Sequence, residues 1–278
     1  MDEQARRPGL AVGDAMDEQA LIDRIVADVM ARLGETAGSS ATVPATSPVD
    51  LAPLIDHTLL RPEATPDQID RLCDEAIRYR FAAACVQPVH AARAVDRLAG
   101  HDEIAVASVV GFPHGAALAA TKRAEAEALL ALGVDELDMV LPIGLLKARQ
   151  WSAVADHVEA VVAAAHERAS RRRPGPALVK VIIEAALLTD EEKVIACAIA
   201  ETCRADFVKT STGFAEGGAT VEDVRLMRRA VGDRLGVKAA GGIRTREQAV
   251  ALLAAGATRL GTSAGPALVE GDARSIPH

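Results

Sequence analysis

Aromatic residues are scarce in this sequence of 278 residues, in which phenylalanine, tyrosine and tryptophan together make up 2%. Apolar residues nonetheless account for 50%, so a sizeable core must be built from alanine, valine, leucine and isoleucine. No uncharged apolar run reaches the ~18 residues that a membrane-spanning helix needs. The sequence begins Met-Asp-Glu-Gln and lacks the basic-then-apolar pattern of a secretory signal, so we expect no signal peptide.

Excess positive charge and paired cysteines are also lacking. The chain has 31 basic and 39 acidic residues, a net charge of -8, which argues against a nucleic-acid-binding protein. The four cysteines contain no Cys-x-x-Cys pair and are too few for a disulfide framework, so a reducing cytoplasm is expected. The seven histidines show neither His-x-His nor His-Glu-x-x-His spacing, and no metal site is predicted.

Composition divides the chain into three parts. Residues 1–34 form an N-terminal extension, and residues 35–50 have the serine, threonine, proline and glycine content of a linker. Residues 51–278 form one alternating β/α array. The pentapeptide Met-Asp-Glu-Gln-Ala occurs at residues 1–5 and again at residues 16–20, so either methionine could be the true start.

The array alternates short β-branched runs with longer alanine-rich helical stretches. Near-continuous apolar strands separated by helices indicate a parallel sheet covered by helices. Eight such repeats in about 228 residues fit a closed (β/α)8 barrel better than an open sheet. No Gly-x-Gly-x-x-Gly follows the first strand to support the open-sheet alternative. The predicted strands are residues 54–58, 83–87, 104–112, 136–141, 178–184, 207–210, 237–240 and 259–262. The predicted helices include residues 66–79, 116–132, 151–170, 190–203, 220–231 and 245–255.

Three predicted strands carry a lysine, which is unusual because burying an ammonium group is costly. If Lys180, Lys209 and Lys238 meet at one end of the barrel, repulsion and burial should lower their pKa values. A neutral lysine amine is the nucleophile that forms a Schiff base with a carbonyl compound. The alternative is that each lysine points outward or pairs with a carboxylate. Asp138 is interpreted as an ion-pair partner of a lysine, as part of a proton relay, or as both.

Glycine-rich segments follow the last three predicted strands, at Thr212-Gly213, Gly241-Gly242 and residues 261–265. Barrels often hold a phosphate after strands seven and eight, where backbone N–H groups and a short helix N-terminus meet it. Glycine allows that close approach, although these segments could also be simple tight turns. A Schiff-base lysine beside a phosphate site predicts a phosphorylated aldehyde or ketone as the substrate.

Six sequence elements, in order along residues 51–270, resemble the deoxyribose-phosphate aldolase family. They are residues 54–60, 109–115, 135–140, 179–184, 207–214 and 237–245. Lys-Thr-Ser-Thr-Gly and Lys-Ala-Ala-Gly-Gly-Ile-Arg-Thr are the most specific of these elements. The resemblance implies a class I aldolase that needs no metal or other cofactor. Its reaction would be the reversible cleavage of 2-deoxy-D-ribose 5-phosphate into D-glyceraldehyde 3-phosphate and acetaldehyde.

The resemblance also implies roles for individual residues. Lys209 would be the Schiff-base nucleophile, and Lys238 the neighbouring cation that lowers its pKa and joins in proton transfer. Asp138 would be the acid–base partner, working with Lys238 and a water molecule. The residues implied to line the substrate pocket are Asp56, Thr58, Cys85 and Lys180, and those implied to hold the phosphate are Gly213, Gly241, Gly242 and Ser263.

Some positions depart from the pattern of this family. Phe214 stands where some members carry a basic residue, and Ala264 where some have a second serine. Some members end in a tyrosine that reaches the active site, whereas the single tyrosine here, Tyr79, lies in a predicted helix. Phosphate binding is therefore expected to depend more on backbone N–H groups. The isolated histidines His57, His90 and His114 are interpreted as structural, because the lysine mechanism does not require them.

Two other functions stay open from the sequence. One is a lysine-dependent barrel aldolase that acts on a different phosphorylated carbonyl compound. The other is a catalytically silent barrel that serves as a binding or packing module, although the set Lys209, Lys238 and Asp138 argues against it. A homodimer is expected, as barrel aldolases of this kind often dimerise, while nucleic acid and membranes are not expected as partners.

The N-terminal extension contains a predicted amphipathic helix over about residues 17–33. Its apolar residues, which fill one half of the helix, are Leu21, Ile22, Ile25, Val26, Val29, Met30 and Leu33. A helix of this length is marginal alone in water and needs a partner surface. With the linker, it resembles the encapsulation peptides of bacterial microcompartment enzymes. We therefore expect residues 16–34 to bind a shell protein or co-cargo, the alternative being packing on the barrel or a dimer partner.

Overall fold

The computed structural model describes residues 27, 30, 49–168, 170 and 175–270, and every structural statement concerns these residues. Eight parallel strands follow one another round a closed barrel, and the last strand pairs with the first. The predicted (β/α)8 barrel is therefore confirmed. The strands are β1 (Ile55–Leu59), β2 (Ala83–Val86), β3 (Ala105–Val110), β4 (Glu136–Val140), β5 (Leu178–Ile182), β6 (Phe207–Lys209), β7 (Gly236–Ala240) and β8 (Arg259–Thr262).

Helices between the strands cover the outside of the barrel. They are α1 (Pro66–Tyr79), α2 (Ala91–Arg97), α3 (Ala119–Leu132), α4 (Ile143–Lys147), α5 (Trp151–His166), α6 (Asp190–Thr202), α7 (Val221–Val231), α8 (Arg246–Ala254) and α9 (Gly265–Glu270). The six predicted helices are all present, with ends shifted by at most four residues. The short helices α2, α4 and α9 were not among them, because five to seven residues are too few to show a helical period.

Threonine caps explain where two of these helices begin. The Thr189 hydroxyl accepts a hydrogen bond from the Glu192 N–H, and Glu192 accepts the Thr189 N–H in return. Thr245 and Gln248 make the same reciprocal pair at the start of α8. These capping boxes satisfy backbone donors that have no partner within a helix. They fix the entry of α8 directly after the glycine-rich segment that follows β7.

The interior of the barrel has an apolar side and a charged side. On β2 and β3 the inward residues are small and apolar, and they form one buried cluster: Ala83, Cys85, Ala105, Ala107 and Val109. On β1 and β4 to β7, several inward positions carry buried ionisable residues instead, and β8 contributes the partly exposed Arg259. Outward strand residues pack against the helices in a second, larger apolar core. The apolar packing outside the barrel thus stabilises a fold whose centre is polar.

The predicted N-terminal helix and linker lie almost entirely outside the described residues. In the predicted helix Ala27 and Met30 are described, and both are helical and exposed, while in the linker Val49 and Asp50 are described, and both are exposed. The C-terminal residues 271–278, where some members of the family carry a tyrosine and this chain does not, also lie outside the described residues. Within the described ranges, no helix combines the length and the apolar character needed to cross a membrane.

Candidate active site

A cavity of about 570 Å³ opens at the C-terminal ends of the strands. This is the face at which barrel enzymes carry their active sites. Segments that follow β1, β6, β7 and β8 supply most of its wall. Six of the residues predicted from the sequence line it: Thr58, Lys209, Gly213, Gly241, Gly242 and Ser263.

Lys209 is the last residue of β6. Among the described residues, it is the one lysine of the barrel interior that lines this cavity. Its side chain is almost fully buried, and only 2% of the residue is exposed. Its Nζ donates to Oδ2 of Asp138 at 2.8 Å. Lys238 is its register partner on β7, so the two lysines enter the barrel side by side. Lys209 is therefore the one lysine of the three that a molecule in the cavity could reach.

Asp138 joins all three predicted lysines. Its Oδ1 accepts a hydrogen bond from Lys180 at 2.6 Å, and its Oδ2 accepts from Lys209 at 2.8 Å and from Lys238 at 2.7 Å. Lys180 is its register partner on β5, which explains their close approach. All four side chains point into the barrel. The alternative of lysines that point outward is therefore wrong, whereas their pairing with carboxylates is present.

The electrostatic surroundings separate the three lysines. Burial has the largest influence on Lys209 and lowers its pKa. Asp138 raises this pKa and Lys238 lowers it, and the net result is a pKa below the ordinary value of a lysine. Burial also acts on Lys180 and Lys238, but Asp138 with Glu136 or Asp56 outweighs it and raises both pKa values. The expectation that repulsion lowers every lysine pKa was thus wrong for two of them, because carboxylates lie between the lysines.

This arrangement provides two different amine functions in one cluster. Lys209 is the lysine of the three that most readily loses its proton, and it lines the cavity. Lys238 stays a cation, and burial raises the pKa of Asp138 less than the three lysines lower it, so Asp138 stays an anion. A neutral amine can attack a carbonyl carbon, while an adjacent cation–carboxylate pair can move protons. Groups whose pKa values are pushed apart are typical of acid–base sites.

Asp56, Cys85 and Lys180, which were also predicted to face the substrate, are completely buried below the cavity. Asp56 accepts hydrogen bonds from Lys238 and, at 2.6 Å, from Arg259. Burial raises the pKa of the Cys85 thiol, which keeps it protonated. None of the three lines the cavity.

The glycine-rich wall has backbone conformations that favour glycine. Gly241 and Gly242 have φ angles of +93° and +76°, values that residues with a Cβ rarely adopt. Gly261 has a different reason, because a Cβ at this position would lie 3.0 Å from Cε of Lys238. The glycine of β8 therefore makes room for a catalytic candidate, while those after β7 shape the wall of the cavity.

A buried glutamate organises the loop after β6. Glu184 is 3% exposed, and both its carboxylate oxygens lie 3.3 Å from the Thr212 N–H. Glu184 also accepts a hydrogen bond from the Thr212 hydroxyl, and that hydroxyl in turn accepts a hydrogen bond from the Phe214 N–H at 3.1 Å. Glu184 itself has a φ of +53°, so its backbone is held in an uncommon conformation. This network fixes Thr212, Gly213 and Phe214 against the cavity.

Of the three histidines interpreted as structural, His57 and His90 make side-chain contacts, and His57 also lines the cavity. Nε2 of His57 lies 2.6 Å from Oε2 of Glu75, and Nε2 of His90 lies 3.1 Å from the Ala64 carbonyl oxygen. Burial lowers the pKa of His57 in spite of the Glu75 carboxylate. Phe214, on the cavity rim, meets the Phe112 ring edge-on at 5.2 Å.

Sequence reasoning missed three ionisable residues: Glu184, Glu136 and Arg259. Each carried a usable signal. Glu136 stands two residues before Asp138 and therefore faces the same side of β4. Arg259 opens a strand that continues with glycine and threonine, and Glu184 closes the element that contains Lys180.

Comparison with known proteins agrees with this geometry. Residues 51–269 match the model of the DeoC/LacD family aldolases. A deoxyribose-phosphate aldolase of Thermococcus gammatolerans is 53% identical over 224 residues, which cover 80% of this chain and 96% of that protein. Deoxyribose-phosphate aldolase 1 of Cutibacterium acnes is 52% identical over 221 residues, covering 80% of this chain and 97% of its own.

A solved structure leads to the same family. The tetrameric deoxyribose-phosphate aldolase of Aeropyrum pernix superposes with a TM-score of 0.74 at 33% identity, and the match covers 91% of this chain and 98% of that one. The family match spans the whole barrel, including every residue of the lysine cluster and the cavity wall. This chain belongs to the DeoC/LacD family of aldolases.

Proposed function

We propose that the protein cleaves 2-deoxy-D-ribose 5-phosphate reversibly into D-glyceraldehyde 3-phosphate and acetaldehyde, through a Schiff base at Lys209. The observation that carries this proposal is Lys209, which lines the cavity and whose amine has a lowered pKa beside Asp138 and Lys238. The activity of relatives at about half identity supports the choice of substrate.

The first step is formation of the Schiff base. The neutral Lys209 amine attacks C1 of the open-chain sugar, and loss of water from the carbinolamine gives a protonated imine. Asp138 and Lys238 are placed to supply and accept the protons of this dehydration, since Asp138 contacts both lysine amines. Because Lys238 remains a cation, its charge lowers the pKa of Lys209 and favours the neutral amine.

Cleavage then uses the protonated imine as an electron sink. A base removes the proton of the C3 hydroxyl, the C2–C3 bond breaks, and its electron pair moves to form an enamine on Lys209. The C3 fragment leaves as D-glyceraldehyde 3-phosphate. Protonation of the enamine at C2 and hydrolysis of the imine release acetaldehyde and restore the lysine. The Asp138–Lys238 pair is the proton relay within reach of Lys209.

The phosphate group would lie against the wall formed by Gly213, Gly241, Gly242 and Ser263. Backbone N–H groups in such glycine-rich segments bind phosphate without the need for a cationic side chain. Arg244 also lines this part of the cavity and adds positive charge. Phe214 supplies none, so the backbone carries a larger share of the binding.

Two assays test the function. Turnover should be measured with 2-deoxy-D-ribose 5-phosphate and, as the matched control, with unphosphorylated 2-deoxy-D-ribose. Acetaldehyde and borohydride should then be added together, and the modified peptide identified by mass spectrometry. We expect a strong preference for the phosphorylated sugar and reductive labelling of Lys209 with loss of activity. Full activity after this treatment would sink the Schiff-base mechanism, and phosphate-independent turnover would point to a different substrate.

Replacing Glu184 by glutamine should weaken substrate binding more than catalysis. The amide offers one neutral acceptor oxygen in place of two charged ones, so it accepts the Thr212 donors more weakly and the loop that carries Gly213 loses part of its support. We expect the KM for the phosphorylated sugar to rise about tenfold with kcat within about twofold. Thr212→Ser keeps the hydroxyl and serves as the control. Equal effects on the phosphorylated and unphosphorylated sugars would contradict a phosphate-side role.

The N-terminal extension is proposed to target the enzyme to the lumen of a bacterial microcompartment. The support is its sequence pattern, an amphipathic helix followed by a linker, which the proposed catalytic residues do not require. Release of volatile, reactive acetaldehyde makes an enclosed compartment a reasonable site for this reaction. Residues 16–34 would bind a shell protein or another cargo protein through their apolar face.

Removal of residues 1–48 is therefore expected to leave aldolase turnover within about twofold, since every proposed catalytic residue lies beyond them. Residues 1–50 fused to a fluorescent protein should gather at the shell when both are co-expressed. Diffuse fluorescence, or packaging of the truncated barrel at full efficiency, would refute the targeting role. Sedimentation of the truncated and full-length chains in parallel tests the predicted homodimer and shows whether the extension contributes to it.

A further inference from the structure

Below the cavity, six charged side chains form a closed ring of ion pairs across the barrel interior. Neighbours in the ring alternate in sign and follow the order Asp138, Lys180, Glu136, Arg259, Asp56, Lys238 and back to Asp138. Three carboxylates thus balance three cations, so the ring itself has no net charge. Lys209 joins it at Asp138 as a seventh charged group.

Glu136 and Arg259 form the side of the ring away from Lys209. The two guanidinium nitrogens of Arg259 donate to the two Glu136 oxygens at 3.3 and 3.4 Å, and Nη1 also donates to Asp56. The guanidinium lies over the Phe207 ring, 5.7 Å from its centroid. Gly236 leaves the space for that ring, because a Cβ there would lie 2.1 Å from it. Arg259 is therefore held in one position by several groups.

The charge balance of the buried cluster determines which of its ionisable groups loses a proton most readily. Uncompensated charge is costly away from water, so a buried cluster favours the protonation state in which its charges cancel. The six-membered ring already cancels without Lys209. A proton on Lys209 would make the set of seven net positive, whereas its loss leaves the set neutral.

We propose that Glu136 and Arg259 are positioning residues for the Schiff-base lysine. Their ion pair completes the neutral ring, so the cluster does not need a positive charge on the Lys209 amine to balance its charges. The inference rests on the proposed Schiff base at Lys209. It predicts that either residue acts on the lysine through the ring, although neither lines the cavity. Without Arg259, three carboxylates would face two ring cations, and a charged Lys209 would restore the balance.

The groups that face Lys209 from the neighbouring strands agree with this charge count. Asp138 of β4 and Lys238 of β7 are its nearest charges, and the Cys85 thiol of β2 stays protonated. For Asp56, burial raises the pKa, but Arg259, Lys238 and Lys180 together lower it below its ordinary value. Asp56 and Asp138 are therefore ionised, and Lys209 is left as the group whose proton is lost first.

The test measures reductive labelling of Lys209 by acetaldehyde and cyanoborohydride as a function of pH. Arg259→Gln removes a cation, so the acid limb of the labelling curve should move up by about one pH unit. Glu136→Gln removes an anion and should move the limb down by a similar amount. Arg259→Lys keeps the charge with altered geometry, and the double variant Glu136→Gln/Arg259→Gln keeps the balance. In both of these variants the acid limb of the labelling curve should stay close to its position in the parent protein.

Opposite shifts from the two single variants would support the proposal. Shifts in the same direction, or an unmoved limb in a variant with native circular dichroism, would overturn it, because packing defects do not follow the sign of the lost charge. Either single variant with its charge-balanced control is sufficient if the other does not fold. Failure of the parent to be labelled at Lys209 would instead overturn the proposed Schiff-base function, so the two failures are distinguishable.

Discussion

Replacement of Lys209 by arginine is expected to lower kcat by at least about 10³-fold, because the guanidinium cannot form an imine. Arginine keeps a positive charge opposite Asp138, which the lysine now contacts at 2.8 Å. The variant therefore removes the nucleophile and fixes a positive charge at a position where the lysine amine readily loses its proton. Turnover of the phosphorylated sugar should be measured in both reaction directions.

The matched control for this variant is the trapping experiment. Acetaldehyde with borohydride should label the parent at Lys209, and in Lys209→Arg no label should appear in the cluster, although Lys180 and Lys238 are present in both. These two lysines are completely buried and have raised pKa values, so they should not react. Labelling of the arginine variant at Lys238, with activity retained, would assign the Schiff base to the other lysine of this register pair.

The parts of this architecture that local sequence determines could be predicted. Each strand shows as a short apolar run, and the lysines Lys180, Lys209 and Lys238 stand out because strand interiors rarely hold charge. The barrel follows from eight repeats, and its C-terminal face follows from the fold. The end of β3 was predicted two residues late, since Gly111, with a φ of +62°, leaves the strand conformation.

The contacts between distant strands could not be predicted. Glu136 and Arg259 lie 123 residues apart, on strands that are not neighbours in the barrel. Their pairing depends on the stagger of all eight strands, which no local pattern records. The same gap explains the error about the lysine pKa values. The sequence shows three cations in strands, but the carboxylates that separate them become neighbours only when the barrel closes.

Replacement of Lys238 by leucine is expected to lower kcat/KM at neutral pH by about 10²- to 10³-fold and to raise the pH optimum. Lys238 contacts Asp56 and, at 2.7 Å, Asp138. Without it, these carboxylates lose a shared cation, and Lys209 becomes the remaining partner of Asp138 on that side. The proton of Lys209 is then held more tightly, so its pKa rises and a smaller fraction of the amine is neutral. The relay also loses a proton donor.

The direction of the pH change separates this role from simple damage to the barrel. Leucine leaves Asp138 paired with Lys180 and Asp56 paired with Arg259, so the variant keeps an ion pair for each carboxylate. Its melting temperature should fall, because one buried cation of a network is missing. Rates should therefore be measured well below that temperature, over a full pH series. Activity that falls by the same factor at every pH would remove Lys238 from the control of Lys209, whereas partial recovery at high pH would establish it.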